Sequence, residues 1–139
     1  MNRRALGALT LGGVIVLSVL VMMLMQPPVA PSTITYGEVT VAEAQALIDS
    51  NPELVIVDVR TPEEFADGHI EGAIVIPVSE LADRLDELTP EDDLLIYCRT
   101  GNRSTTAMTI LTANGFTQLF HMHEGITGWM AAGYPTVSA

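Results

Sequence analysis

The chain has 139 residues, one cysteine, 17 acidic and 6 basic residues, and a formal net charge of −11. This length allows one domain and a short additional segment. A single cysteine excludes an internal disulfide framework, and the acidic balance argues against binding to nucleic acid or anionic lipid headgroups, which depends on neutralising phosphates. All 17 acids lie after residue 33, where only four arginines oppose them and lysine is absent, so we expect a soluble, acidic domain.

The N-terminal segment is apolar. Residues 5–25 carry no charge over 21 positions. As a helix they would span roughly 31 Å, the thickness of a bilayer core. Arg3 and Arg4 precede the segment, and positive charge stays on the cytoplasmic side. The pattern therefore predicts one transmembrane helix within residues 1–26 that anchors the rest of the chain on the extracytoplasmic side.

A cleaved signal segment is the alternative, and it would give a secreted or periplasmic protein. The apolar run is longer than the roughly 7–15 residues of most signals. The best cleavage site ends at Ala30, where Pro28 and Pro31 disfavour a peptidase. We therefore favour the uncleaved anchor.

Residues 27–33 contain three prolines and are predicted to be a stiff, extended linker. Residues 34–139 are then the folded domain, which is large enough for a single core. Short apolar runs alternate with helical patterns in this domain, which is typical of a parallel sheet with crossover helices. We expect an α/β fold with a central parallel sheet of about five strands flanked by helices.

Two capping boxes mark helix starts in this domain, one from Thr40 to Glu43 and one from Thr61 to Glu64. Pro62 occupies the first helical position of the second, where a missing N–H costs nothing. The predicted elements are a helix from Thr40 through Ile48, a strand over 54–57, a short helix after Thr61, a strand over 73–76, a helix over 79–88, a strand over 94–97, a helix over 103–114, a strand over 118–122 and a helix over 125–132.

Cys98 directly follows a buried strand and begins a loop that leads into a helix. We interpret it as a catalytic thiol rather than a small buried hydrophobe, because helix N-terminal amides and the cations Arg99 and Arg103 lower a thiol pKa. Backbone N–H groups over 99–104 form an anion-binding nest. Gly101 makes the necessary curvature inexpensive.

Asp58 and Arg60 follow the strand over 54–57. The carboxyl ends of parallel strands meet at one edge of a sheet, so we expect these side chains near Cys98. Asp58 is interpreted as a loop-orienting carboxylate, and Arg60 either pairs with Glu64 or lines the pocket. Arg103 heads a helix, where the dipole disfavours a cation, so a pairing with a carboxylate such as Asp58 competes with a substrate role.

The three histidines give a weak signal for chemistry. His69 is predicted to be a packed loop histidine rather than a base, since a thiol of low pKa needs no separate base. His121 and His123 have strand spacing and are expected on one face. Two histidines without a third ligand do not predict a metal site, and no cofactor is predicted.

Five motifs follow one another along the domain: VDVRTPEEF at 57–65, GHIEGA at 68–73, CRTGNRS at 98–104, GITGW at 125–129 and AGYP at 132–135. With these motifs, the whole domain resembles a single-domain rhodanese, a sulfurtransferase. The resemblance implies that Cys98 accepts a sulfane sulfur from a small anionic donor such as thiosulfate and becomes a persulfide. The persulfide then passes the sulfur to a thiophilic acceptor, which is either a small molecule or a protein.

The resemblance also implies residue roles. Cys98 is the nucleophile, with Asp58 and Arg60 as supporting residues. The family often has a Gly-Gly pair where this chain has Glu124 and Gly125, so an additional carboxylate is expected near the site. The substrate-binding loop consists of Arg99, Thr100, Gly101, Asn102, Arg103 and Ser104.

A non-turnover sulfur carrier or a partner-binding rhodanese module at the membrane surface is the main alternative to sulfur transfer. A cysteine phosphatase or arsenate reductase is disfavoured, because such enzymes carry His before the cysteine and five residues between Cys and Arg. Here Tyr97 precedes Cys98, and four residues separate it from Arg103.

Overall fold

The structure is a computed structural model that describes residues 35–139. The transmembrane helix predicted within residues 1–26 and the linker predicted over 27–33 lie outside the described residues. In the described part, no helix combines the length and apolar character needed to cross a membrane.

A five-stranded, fully parallel sheet forms the centre of the domain, which confirms the predicted α/β fold. The strand order is β1-β5-β4-β2-β3, so β4, which leads to Cys98, is the central strand. The strands are β1 (Gly37–Val39), β2 (Val55–Asp58), β3 (Ile74–Val75), β4 (Leu94–Tyr97) and β5 (Leu119–Met122).

Five helices connect or flank these strands in the described residues. Both predicted capping boxes are present: the side chains of Thr40 and Thr61 accept hydrogen bonds from the backbone N–H groups of Glu43 and Glu64. The helices are α1 (Val41–Ser50), α2 (Pro62–Asp67), α3 (Val78–Leu81), α4 (Asn102–Ala113) and α5 (Gly125–Ala131).

The single helix predicted over 79–88 is wrong. The chain instead forms α3 and then a separate 3₁₀ turn, Leu85–Glu87. Arg84 separates them with φ −122°, a non-helical value. The break allows the chain to bury both Leu81 and Leu88, which lie in the same core cluster. Strand β1 was not located by the sequence analysis, because three residues are too short to show a period.

Side chains on opposite faces of the sheet form two apolar cores. Along β4, Ile96 points into the core beneath α3 and α4, whereas Tyr97 points into the core beneath α1 and α5. Successive strand residues alternate between faces. Cys98 therefore lies on the same side as Ile96, facing α4, and it is part of that core cluster.

Candidate active site

Cys98 lies at the carboxyl end of β4, where the chain turns into α4. The turn requires Gly101 in the left-handed region at φ 101°, and a Cβ there would collide with the backbone carbonyl of His123. In this conformation the N–H of Gly101 donates a hydrogen bond to Cys98 Sγ over 3.1 Å. The loop thus curves around the sulfur, and Cys98 as a whole is only 1% exposed.

The pKa of the Cys98 thiol is lowered. Burial opposes its ionisation, but hydrogen bonds from the Ser104 hydroxyl and from the N–H groups of Ser104, Gly101 and Thr100 outweigh that effect. The Ser104 Oγ lies 3.3 Å from Sγ. The predicted lowering by N–H groups at the start of the helix is confirmed, whereas Arg99 and Arg103 are not among the leading causes of the lowered pKa.

Helix α5 holds the loop in this orientation. The N–H groups of Ile126 and Thr127 donate to the carbonyls of Cys98 and Arg99 over 2.9 and 3.2 Å. In a trans peptide the C=O and the following N–H point in opposite directions. Since both carbonyls point to α5, the next two N–H groups point away from it. Gly125 permits the close approach, because a Cβ there would collide with the Arg99 carbonyl.

The two arginines of the loop have different surroundings. Arg103 forms a bidentate ion pair with Glu64 of α2, at 2.6 and 2.9 Å. Arg103 therefore pairs with a carboxylate, as predicted, but the partner is Glu64 rather than Asp58. Arg99 is exposed and has no ion-pair partner among residues 35–139. Arg99 is the loop cation that remains available to an incoming anion.

Asp58 and Arg60 form a buried ion pair with each other. The Arg60 Nη2 donates to Asp58 Oδ2 over 2.6 Å and to the carbonyl of Gly68 over 2.7 Å. The Arg60 backbone N–H also donates to Asp58 Oδ1 over 2.9 Å. Arg60 therefore does not pair with Glu64 through a direct contact, and the carboxylate orients the segment that follows β2.

An open pocket of about 410 Å³ lies beside the loop. It has a positive element in Arg99 and apolar elements in Ile126 and Met130. Two other predicted loop residues, Thr100 and Asn102, are exposed at the surface of the turn. The lining residues are Arg60, Glu64, Asp67, Arg99, Ile126, Thr127 and Met130.

The sequence analysis named His121 but missed its position beside the cysteine loop. Its Nε2 lies 2.7 Å from Ser104 Oγ, one hydrogen bond away from Cys98. The two-residue alternation of β5 places His121 on the α4 side, but that matters only once β5 is known to pair with β4. Glu64 was likewise missed as the partner of Arg103, because 39 residues separate them.

The other expectations have mixed outcomes. His69 is a packed loop histidine as predicted, with Nδ1 2.8 Å from the carbonyl of Phe65. His121 and His123 do lie near each other, with ring centroids 6.4 Å apart. The carboxylate of Glu124 accepts a hydrogen bond from the N–H of Val41, the first residue of α1, over 2.9 Å.

The family model of the rhodanese-like domain matches residues 40–132, well over half of the chain. The fold and the cysteine loop described above lie within that range. The chain belongs to the rhodanese-like family.

Individual relatives agree with this assignment. A sulfurtransferase from Allochromatium vinosum is 35% identical over 95 residues, which cover 68% of this chain and 88% of that protein. The putative sulfur carrier protein YrkF of Bacillus subtilis is 33% identical over 92 residues, and the match spans half of its length.

Solved structures show the same fold. A rhodanese-related protein from Thermoplasma volcanium superposes with a TM-score of 0.68 at 31% identity, covering 75% of this chain and all of that one. The human single-domain sulfurtransferase superposes with a TM-score of 0.65 at 28% identity, covering 70% of this chain and 97% of that one.

Proposed function

We propose that the protein is a sulfurtransferase that carries a sulfane sulfur on Cys98. The Cys98 thiolate attacks the outer sulfur of a donor such as thiosulfate, the donor S–S bond breaks, and sulfite leaves with the electron pair. An acceptor nucleophile then attacks the terminal sulfur of the persulfide, and Cys98 leaves as a thiolate.

One observation carries this proposal: the Cys98 sulfur lies inside a turn whose N–H groups point at it, with Gly101 N 3.1 Å away. Fixed N–H dipoles in a site closed to water stabilise a sulfur anion without reorganisation. The same donors suit a thiolate and a persulfide, since both place negative charge on sulfur near the turn.

Arg99 is the proposed docking cation for the donor. A guanidinium presents a planar set of donors that matches the oxygens of a sulfonate-like group. Arg103 is already engaged by Glu64, so its proposed role is to hold α2 against the loop. Thr100, Asn102 and Ser104 complete the proposed substrate loop, and no cofactor is part of this chemistry.

The second candidate is a sulfur carrier that loads once and serves a protein partner. Two observations support this candidate: Arg99 is the one unpaired cation of the loop within the described residues, and YrkF is named a putative sulfur carrier protein. A single cation binds a dianion weakly, whereas a protein acceptor supplies additional contacts of its own.

We further propose that the domain is displayed on the extracytoplasmic side of a membrane by residues 1–26. The support is the run of 21 uncharged residues after Arg3 and Arg4, followed by the proline-containing linker. Carbonate extraction of membranes from expressing cells tests it: an anchored chain stays in the pellet at its full mass, and a cleaved one is found in the soluble fraction as a shorter chain.

The central test is intact-mass measurement of the full chain in mild detergent, before and after thiosulfate and then cyanide. We expect a gain of one sulfur that cyanide removes as thiocyanate, repeated over many cycles. Cys98→Ser is the control: it should keep the far-UV circular dichroism spectrum and take up no sulfur. Stable loading without turnover would favour the carrier, and uptake by the serine variant would contradict Cys98 as the nucleophile.

A further inference from the structure

The proton of the Cys98 thiol has a single hydrogen-bonded route out of the loop in the described residues. The partners of Sγ are backbone N–H groups of the turn, with that of Gly101 at 3.1 Å, and the Ser104 hydroxyl. Backbone amides accept no proton, so the Ser104 hydroxyl is the only one of these partners that can. Ser104 Oγ in turn contacts the carbonyl of Gly101 at 3.0 Å and His121 Nε2 at 2.7 Å.

His121 is the titratable group at the end of that chain. It is buried on the α4 side of β5, yet it lines a groove of about 590 Å³ between β1 and α4. Its Nδ1 has no hydrogen-bond partner in residues 35–139, whereas every fully buried side-chain N or O atom in those residues has one. Nδ1 is therefore not fully enclosed by the described residues and can exchange protons with solvent in the groove.

We propose that His121 is a positioning residue that acts through the Ser104 hydroxyl to set the protonation of the Cys98 sulfur, passing its proton to solvent in the β1–α4 groove. The purpose of this relay rests on the proposed sulfurtransferase function. The groove lies apart from the pocket beside Arg99, with which it shares no lining residue, so a donor anion at the mouth does not block the route.

Ionisation of Cys98 moves one proton along each bond of this chain and releases one proton to solvent. With Cys98 as a thiol, Sγ–H donates to Ser104 Oγ, and the Ser104 hydroxyl donates to the lone pair of His121 Nε2. On ionisation, the thiol proton moves to Oγ, the hydroxyl proton moves to Nε2, and His121 releases its Nδ1 proton to solvent. The bonds then run in reverse: Nε2–H donates to Oγ, and the hydroxyl donates to the thiolate.

The reversed arrangement stabilises the thiolate. A serine hydroxyl has one proton, and the Gly101 carbonyl, 3.0 Å from Oγ, competes with the sulfur for it. An Nε2–H donor placed on Oγ polarises the hydroxyl and strengthens its bond to the sulfur anion. His121 thus affects the sulfur without touching it.

The charged and titratable groups around His121 suit a neutral ring. Burial lowers the pKa of His121, Glu38 opposes this from the neighbouring β1, and His123 lowers it further. On the α4 side the groove residues, Thr105, Met108 and Thr109, do not titrate. Ile96 is the paired residue on β4. A neutral ring can exchange one tautomer for the other, as the relay requires.

The pH dependence of Cys98 alkylation by iodoacetamide tests the relay on the full chain in mild detergent. The chain has one cysteine, so the reaction reports Cys98 alone. In His121→Phe we expect the thiol pKa to rise by about 0.5 to 1 unit, the shift expected when a single hydrogen bond is lost. The matched control is His123→Phe, an exposed histidine one ring away, which should leave the pKa unchanged.

A double-mutant cycle tests the path. Ser104→Ala should raise the thiol pKa by itself, and adding His121→Phe to it should cause no further shift. No shift in His121→Phe would overturn the proposal. An equal shift with and without Ser104 would also overturn it, because His121 would then act by another route.

Nitrogen-15 NMR of the wild-type chain avoids any dependence on variant folding. Only three histidines are present, and the His121 signals should change from the Nδ1–H to the Nε2–H tautomer over the same pH range in which Cys98 becomes reactive. A His121 tautomer that stays constant through that range would contradict the relay.

These readouts separate the relay from the proposed function. Alkylation and tautomer state need no sulfur donor. If both respond as expected while thiosulfate loading fails, the relay stands and sulfur transfer from thiosulfate does not. If loading succeeds while the thiol pKa ignores His121, the opposite holds.

Discussion

Among single residues, Cys98 shows that hydrogen bonds and charges affect different properties of the site. Burial raises the pKa of its thiol, and hydrogen bonds from Ser104 and from the N–H groups of the turn lower that pKa by more. Short-range donors inside a closed loop are insensitive to salt, whereas an exposed guanidinium such as Arg99 is screened within about 10 Å at 0.1 M ionic strength. We therefore expect ionisation of the thiol and capture of a donor anion to depend on different residues.

Asp58 and Arg60 are structural residues in this arrangement. Asp58→Ala would leave the guanidinium of Arg60 buried without its carboxylate, so we expect a loss of about 3 to 5 kcal/mol in the free energy of unfolding. Urea unfolding measures this. Asp67→Ala, at an exposed carboxylate with no ion-pair partner in the described residues, should cost little.

The same variant tests the role of the pair. Cys98 alkylation should proceed at a rate close to that of the wild-type chain while Asp58→Ala remains folded. A stable variant with slow alkylation would contradict the structural assignment and indicate that Asp58 acts on the thiol.

Glu64 gives the domain a predictable response to acid. The hydrogen bond from Arg103 holds the pKa of Glu64 at about 2, well below its ordinary value of 4.5. A folded-state pKa below the unfolded value means that the pair stabilises the fold above pH 4.5 and that this contribution is lost as the pH falls toward 2. Since both side chains are about a third exposed, we expect about 1 kcal/mol rather than the full value of the shift.

Glu64→Gln should remove that acid dependence. Unfolding by urea at a series of pH values should show a smaller loss of stability between about pH 5 and pH 2 in the variant than in the wild type. Glu63→Gln is the matched control, since Glu63 is exposed and forms no ion pair in the described part of the chain. Equal acid dependence in all three proteins would contradict the role given to the Glu64–Arg103 pair.

At the scale of elements, the site is made by helix α5 as much as by the loop itself. The N-terminal N–H groups of α5 bind two carbonyls of the loop and so turn the following N–H groups inward. The sequence places Gly125 next to Ile126, but nothing in it shows that this helix returns to residues 98–99, a distance of 26 residues or more along the chain.

Gly125→Ala should therefore damage the site itself. The glycine has φ 64°, and the added Cβ meets the carbonyls of Cys98 and Arg99, so we expect about 3 kcal/mol of destabilisation and loss of sulfur loading. Intact mass and urea unfolding measure the two effects.

Gly115→Ala is the matched control. Gly115 also has a positive φ, of 88°, but a Cβ there meets nothing within 4 Å. It should cost about 1 to 2 kcal/mol from backbone strain alone and leave loading intact. If both variants load sulfur equally well, the contact between α5 and the loop does not set the geometry of the site.

For the whole molecule, the dominant property is negative charge. The 17 acids and four arginines after residue 33 give that region a net charge of −13, with Arg99 as a local positive element. A dianionic donor is repelled at long range and attracted only near the loop. The rate of loading by thiosulfate should therefore rise by roughly two- to tenfold as ionic strength rises from about 10 to about 150 mM.

Stopped-flow measurement of persulfide formation tests this expectation. Alkylation by iodoacetamide, a neutral reagent, is the control and should change little over the same range. A loading rate that falls with salt would contradict it, because Arg99 would then outweigh the acidic surface.

The sequence by itself determined the fold class, both capping boxes and the position of the cysteine turn. These depend on local causes: strand and helix periods, side chains that cap within three residues, and a glycine that allows a sharp turn. The sequence did not predict the break after α3, because Leu81 and Leu88 fit a helical period. Only packing on the sheet requires the chain to leave the helix between these two residues.

Only the tertiary structure decided which residues meet. Arg103 pairs with Glu64, Asp58 with Arg60, and His121 with Ser104, and two of these three contacts join residues 17 or more positions apart. Such contacts depend on the order of strands in the sheet and on which helix covers which face. A parallel sheet leaves that order to long-range packing, so the local pattern that reveals Cys98 contains no information about the neighbours that control it.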